Sequence, residues 1–199
     1  MGANLFHSFD RFSVNQGETI TFQVPEKTLN ILARVSGGQH SQINGTITTD
    51  IPTDTNRATS LYLINPAGII FGEGASINVA GSFTATTADY VDMGDGSGVE
   101  SRFWASIDKT STLVSEPPVR FGFLPPGPDS GPPGEFDGKV KISKVKSSSQ
   151  PLVDDLDPDT FDLQPRSGFR VAAGDIVVGG ATTIGTDESG VQFVALDFG

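Results

Sequence analysis

Asp89, Asp92 and Asp95 in "ADYVDMGDGSG" recur at every third position and are the first side chains here that could act together. Carboxylates in such a run suit a hard cation such as Ca²⁺. Their spacing, however, fits neither an EF-hand loop nor Gly-Gly-x-Gly-x-Asp repeats. A second acidic run, Asp154, Asp155, Asp157, Asp159 and Asp162, reads as a solvated loop. His7 in "LFHSF" reads as a capping side chain wedged between aromatics, and His40 in "GGQHSQ" as a loop residue. With no cysteine and only these two histidines, disulfides, thiolate nucleophiles and polyhistidine metal sites are excluded. No Gly-x-Ser-x-Gly, His-Glu-x-x-His or phosphate-cradling glycine loop is present. A polysaccharide lyase or glycosidase would need a carboxylate pair, or a cation cluster beside a basic residue, on one exposed face. Between Asn30 and Ala88 the acids are only Asp50, Asp54 and Glu73, so that reading is the weaker one. No cofactor and no metal site is expected.

The most informative stretch is not acidic at all. In "LYLINPAGIIFG", residues 61–72, two apolar runs flank Asn65-Pro66-Ala67-Gly68. Asn suits the first position of a type I turn, where its side chain can bond the backbone two residues on as an Asx turn; Pro presets φ at the second, Ala is accepted at the third and Gly is favoured at the fourth. Pro66 also drives Asn65 out of the helical region, so no helix runs through. The stretch reads as strand, corner, strand.

The elements around it share that texture. "RFSV", "TITFQV", "NILARV", "QINGTITT", "SINVAGSFTATTA" and "DYVDM" are short β-branched and aromatic segments, many alternating at period two. The 24 glycines and 13 prolines favour turns over long helices. Ile43, Leu61 and Ile77 open comparable segments 18 and 16 residues apart, about the perimeter of one turn of a β-solenoid. Asn44-Gly45 lies inside an alternating segment rather than between two, which argues against a hairpin sandwich. The expected interior is Ile31, Val35, Ile43, Ile47, Leu61, Leu63, Ile70, Ile77, Val79 and Phe83, on parallel strands over residues 20–115. One solenoid turn cannot offset its own backbone entropy, so turns must stack and the ends need caps. "NLFHSFDRFSV" suits the amino-terminal cap.

The organisation expected is a β core over 1–123, an insertion over 124–166 and strands returning over 167–199. Ten of the thirteen prolines fall between Pro117 and Pro165, which marks the insertion. Its least ordered part should be 124–137. Within it "GKVKISKVK" reads as a strand whose Lys139, Lys141, Lys144 and Lys146 face water. A net charge of −11 makes nucleic acid an unsuitable partner. No apolar run reaches the roughly 20 residues of a membrane helix. The start lacks a charged-plus-apolar leader, and the expectation is that a signal peptide precedes this chain in a longer precursor.

Taken in order, "NLFHSFDRFSVNQGETITF", "NILARVSGG", "SQINGTI" and "LYLINPAGIIFGEGASINVAGSFTATTAD" resemble the amino-terminal secretion domain of filamentous-haemagglutinin-type proteins. That domain, also called the haemagglutination activity domain, belongs to the exported partners of two-partner secretion in Gram-negative bacteria. The resemblance covers residues 3–123 and, more faintly, 167–199. It implies an all-β, right-handed parallel β-helix with an amino-terminal cap and extra-helical strands. It also implies a non-enzymatic secretion or adhesion module, recognised from the periplasm by an Omp85-type outer-membrane transporter and carried to the cell surface or beyond. The alternatives are the polysaccharide-active enzyme and a truncated, non-functional fragment of such an exoprotein. Cell-surface glycans, or another cell's surface, are the further partner implied. The family corner reads Asn-Pro-Asn-Gly-Ile, and Asn65, Pro66, Ala67, Gly68 and Ile69 stand at its positions with Ala for the second Asn. The second family motif, Asn-Pro-Asn-Leu, is absent. Those five residues are the candidate transporter-recognition site, beside the simpler reading that they only form a corner.

Overall fold

The computed structural model describes residues 3–50, 58–94, 101–125, 138–143, 145–147, 168–178, 184–186 and 190–195. Among them the chain is all-β, with eighteen strands, no α-helix, and mostly parallel pairing. No helix there is long and apolar enough to cross a membrane.

The strands recur in a fixed order. An opening pass contains β1 (Asn4–Phe9) and β2 (Thr19–Gln23). Two complete passes follow: β3 (Asn30–Val35), β4 (Ser41–Ile43) and β5 (Thr46–Asp50), then β6 (Ser60–Ile64), β7 (Ile69–Phe71) and β8 (Ala75–Asn78). The next begins with β9 (Phe83–Thr86), is interrupted by β10 (Tyr90–Met93), β11 (Arg102–Trp104) and β12 (Pro118–Gly122), and resumes with β13 (Lys139–Ile142) and β14 (Val145–Ser147). The remaining strands are β15 (Gly168–Ala173), β16 (Asp175–Val178), β17 (Ile184–Thr186) and β18 (Gly190–Ala195). Three parallel sheets result: β1-β3-β6-β9-β15-β18, β4-β7-β13-β16 and β2-β5-β8-β14-β17. Each complete pass places one strand in each sheet, and Val14, bridged to Ile43, stands in for the missing second-sheet strand of the first pass.

Registers correct the expected repeat. Leu5, Ile31, Leu61 and Phe83 are lateral neighbours, so successive passes are 26, 30 and 22 residues long, not 16 to 18. Ile43, Leu61 and Ile77 lie in three different sheets, and each spacing measured two sheet-to-sheet steps rather than a whole pass. The segment "QINGTITT" is likewise two strands, β4 and β5, in different sheets, with Asn44-Gly45 as the corner between them.

Inside, period-two alternation turns Ile31, Ala33 and Val35 of β3 and Leu61 and Leu63 of β6 into one core with Ile43, Ile47, Phe71, Ile77, Val79 and Phe83. Nine of the ten expected interior residues belong to it. Ile70 does not: Ile69 and Phe71 point inward, so the side chain between them points out, although neighbours still cover it. The amino-terminal end is closed by aromatics, with Phe9 packed on Phe12 and Phe22 at ring separations of 5.2 and 6.4 Å.

A second apolar cluster explains why "SLYLI" is greasy on both faces. Leu32 and Ile64, on the outer side of the first sheet, pack with Val91, Met93, Phe103 and Ala105. These four come from the antiparallel sheet β11-β10-β12 and its continuation, which lies over that outer face. Parallel stacking therefore holds across 43–83 but not over 90–122, where the chain leaves the passes to cover Leu32 and Ile64 before parallel pairing resumes at β13.

The lysine-bearing segment, expected as one strand, is two, β13 and β14, which enter different sheets, and it is more integrated than its composition suggests. Val140 and Ile142 of β13 are fully buried and Lys141 is exposed, with β13 pairing to β7 and β16. Apart from Leu124 and Pro125, the 124–137 connector lies outside the described residues. So do the acidic run 154–162 and the side chains of Lys144 and Lys146.

Candidate functional site: the Asn-Pro-Ala-Gly corner and its cleft

The corner links β6 to β7 and is tied into the passes on either side. Gly68 N donates to Asn65 O (3.0 Å), closing the four-residue turn, and Ala67 N donates to Asn65 Oδ1 (3.0 Å). Gly68 has φ 105°, a conformation open to glycine and costly for other residues, so the turn needs its fourth residue as it stands. Asn65 is 1% exposed, and its Nδ2 donates to Gln39 O (3.0 Å) and Ser41 Oγ (2.9 Å) of the preceding pass. Ser41 N in turn donates to Gly68 O (3.0 Å), and Gly138 N of the following pass donates to Pro66 O (2.9 Å). The sequence revealed the Asx turn. It gave no sign of the two Nδ2 bonds, whose acceptors lie 26 and 24 residues earlier. Within the five-residue candidate site, Asn65, Gly68 and Ile69 are therefore interior, and Pro66 and Ala67 are the half-exposed members.

Beside Pro66 and Ala67 opens a cavity of about 210 Å³ whose other lining residues sequence reasoning missed. Val35, Ser36, Asp89, Trp104, Ala105, Ser106 and Lys109 line it as well. Folding of the antiparallel sheet over the first sheet brings the last four within reach. Arg34 Nη1 donates to Trp104 O (2.7 Å) and Ser111 Oγ (3.1 Å), while Arg34 Nε donates to Ser8 Oγ (2.6 Å). Trp104 N donates to Ser111 Oγ (2.9 Å), and Ala105 N to Asp89 O (2.9 Å). The indole packs on Tyr90 with ring centroids 4.9 Å apart, and Lys109 Nζ lies 4.1 Å from a Trp104 ring centroid. A half-exposed indole joined to a rigid proline corner can take an apolar group, and the lysine at the lip can take an anionic one.

Of the carboxylates Asp89, Asp92 and Asp95, the two that are described are engaged within the chain. Asp92 is 1% exposed and accepts from Arg102 Nε (2.9 Å) and from Arg120 Nε and Nη2 (2.9 and 2.7 Å). Asp89 Oδ2 accepts from Leu124 N (2.6 Å), and Asp95 lies outside the described residues. Among the described residues no group of three or more histidines and carboxylates could hold a metal ion. His7 stacks on Phe9 (5.8 Å) and meets the edge of Phe22 (5.6 Å), as its capping role required, and burial lowers its pKa from the ordinary value. Asn44 stands at the β4–β5 corner, half-buried against Gly72.

A family model described as the TPS (two-partner secretion) secretion domain matches residues 1–126, which include the corner, the cleft and the antiparallel sheet. Among curated proteins, a heme/hemopexin-binding protein of Haemophilus influenzae (strain KW20 / Rd) is 36% identical over 112 residues, 56% of this chain and 11% of its own length. Another heme/hemopexin-binding protein of Haemophilus influenzae is 36% identical over 86 residues, 43% of this chain and 8% of its own. The chain thus spans about a tenth of the length of the relatives it matches. No solved structure matches it. With more than half of its residues matched in one continuous block, the chain belongs to the TPS secretion-domain family.

Proposed function

We propose that this chain is the non-enzymatic secretion module of a two-partner-secretion exoprotein, built as a right-handed parallel β-helix and recognised by an Omp85-type outer-membrane transporter. The observation that carries the reading is the family match over residues 1–126. The cyclic order of strands through three parallel sheets supports the β-helix, and the antiparallel sheet supplies the extra-helical strands. The recognition surface is the corner Asn65-Pro66-Ala67-Gly68-Ile69, of which Pro66 and Ala67 meet the transporter while buried Asn65 and Gly68 hold their shape. The route is from the periplasm through the outer membrane of a Gram-negative bacterium to the surface or the medium. Adhesion to a glycan or another cell's surface is the task of the whole exoprotein. The similarity to the heme/hemopexin-binding proteins, limited to about a tenth of their length, supports a shared secretion module and does not carry their ligand over.

The test is export. A signal peptide is fused to residue 1, the cognate transporter is co-expressed, and the chain is assayed in the medium. Appearance in the medium only with the transporter is the expected result. Retention with every candidate transporter, together with release of reducing sugar from a polysaccharide, would favour an enzyme instead.

A further inference from the structure

Lys109, at the lip of the cleft, has no carboxylate within ion-pair distance among the described residues; its ammonium rests on the Trp104 ring at 4.1 Å. Asp89, the other charge at the cleft, is turned to its own chain through the Leu124 amide. The remaining polar groups are also engaged. Asn65 uses its side chain on Gln39, Ser41 and Ala67. Ser106 Oγ accepts from Asp108 N (3.1 Å), and Ser36 Oγ donates to Phe9 O (3.3 Å). A sugar ring would leave most of its hydroxyls unpaired there, which is costly in a partly desolvated site. What the cavity offers is an apolar wall of Val35, Pro66, Ala67 and Trp104, room for about one side chain, and one unanswered cation.

We propose that the cleft docks an extended peptide segment of the transporter in which an apolar side chain stands next to an acidic one. The apolar side chain fills the cavity against Pro66 and Trp104, and the carboxylate meets Lys109 Nζ. This rests on the transporter-recognition reading and narrows it from a turn to a cleft. With a net charge of −11 the chain as a whole repels an acidic segment, so Lys109 fixes where it docks.

Trp104 is the only tryptophan in the chain, so its emission reports the site directly. Short blocked peptides of glycine and serine carrying a central Phe-Asp, or Phe-Asn as the uncharged counterpart, are titrated into the full chain, with methyl mannoside and N-acetylglucosamine in parallel. Phe-Asp should give a saturable emission change, with affinity about three- to tenfold weaker for Phe-Asn and falling with salt. Lys109→Gln should make the two peptides equivalent, and Ala67→Arg, which fills the cleft mouth, should abolish both titrations. Equal affinities for the wild-type chain, saturation by a sugar instead, or no response at millimolar peptide would each overturn the proposal. Capture of the transporter's periplasmic part on immobilised chain separates the two readings. Weaker capture by both variants supports the cleft. Capture that neither variant alters overturns the cleft and leaves transporter recognition standing. No capture by the wild-type chain overturns transporter recognition, and the cleft with it.

Discussion

Asn65 shows how much one buried amide can organise. Its side chain closes the turn through Ala67 N and fastens it to the preceding pass through Gln39 O and Ser41 Oγ. Asn65→Ala leaves Ala67 N without its acceptor and Gln39 O and Ser41 Oγ without their donor, which should cost about 1–3 kcal/mol in urea unfolding. Asn65→Asp keeps the acceptor for Ala67 N but turns a carboxylate toward the Gln39 carbonyl, and should cost at least as much. If Asn65→Ala unfolds within about 0.5 kcal/mol of wild type, those bonds do not hold the corner. The Asx turn was legible because donor and acceptor lie two residues apart. The Nδ2 bonds were not, because reading them requires knowing which residues the preceding pass places alongside. His7 adds a pH test. Burial between Phe9 and Phe22 lowers its pKa below the unfolded value of 6.5, so above that value both states are neutral and no difference arises. As pH falls below it, the unfolded chain takes the proton first and stability is lost until the folded imidazole also titrates. His7→Leu should therefore lose less stability than wild type between about pH 7 and pH 5. Parallel stability curves for the two proteins would show that His7 is not the group responsible.

At the scale of the element, strands and corners were legible and their sheet membership was not. A β-branched run reports that a segment is extended, and alternation reports which side chains share a face. Neither reports which of three sheets the strand enters, so two sheet-to-sheet steps passed for a full repeat and Asn44-Gly45 passed for the middle of a strand. The mistake over Ile70 is of the same kind: Ile69-Ile70-Phe71 is apolar throughout, and only the core shows that its first and third members point inward. Gly45 exposes the constraint at the β4–β5 corner, because a Cβ there would fall on the carbonyl oxygens of Asn15 and Glu18. Gly45→Ala should cost about 2–4 kcal/mol by unfolding, far more than helix or strand propensity explains. A cost within propensity would show that the corners do not approach so closely. Asp92 plays the matching part in the antiparallel sheet, its buried carboxylate joining Arg102 of β11 to Arg120 of β12. Asp92→Leu leaves Arg102 without its carboxylate, and the effect should be local. Amides of β10, β11 and β12 should exchange faster and Trp104 emission should shift to the red, with β3 and β6 still protected. Loss of protection in β3 and β6 as well would mean that the two cores unfold as one unit.

On the whole-molecule scale, the fold is a set of passes with one long excursion, and the excursion carries half of the candidate site. Elsewhere the first sheet connects to the second in a few residues, four between Ile64 and Ile69 and five between Val35 and Ser41. After Thr86 the chain instead runs through β10, β11 and β12 before β13 begins at Lys139. This detour has a physical cause in Leu32 and Ile64, whose outward apolar side chains would otherwise face water. Replacing residues 87–138 by a four-residue corner separates its two consequences. Parallel pairing among β1, β3, β6 and β9 uses none of the deleted strands, so far-UV circular dichroism should remain that of a β protein. The outer face bearing Phe6, Leu32, Tyr62 and Ile64 would be uncovered, and the shortened chain should bind an apolar dye and self-associate. It should also fail to capture the transporter's periplasmic part, because Trp104 and Lys109 would be gone while the Asn65 corner remained. A shortened chain that stays monomeric and dye-free would show that the antiparallel sheet is not the cover for that face. One that still captures the transporter would place recognition on the corner by itself.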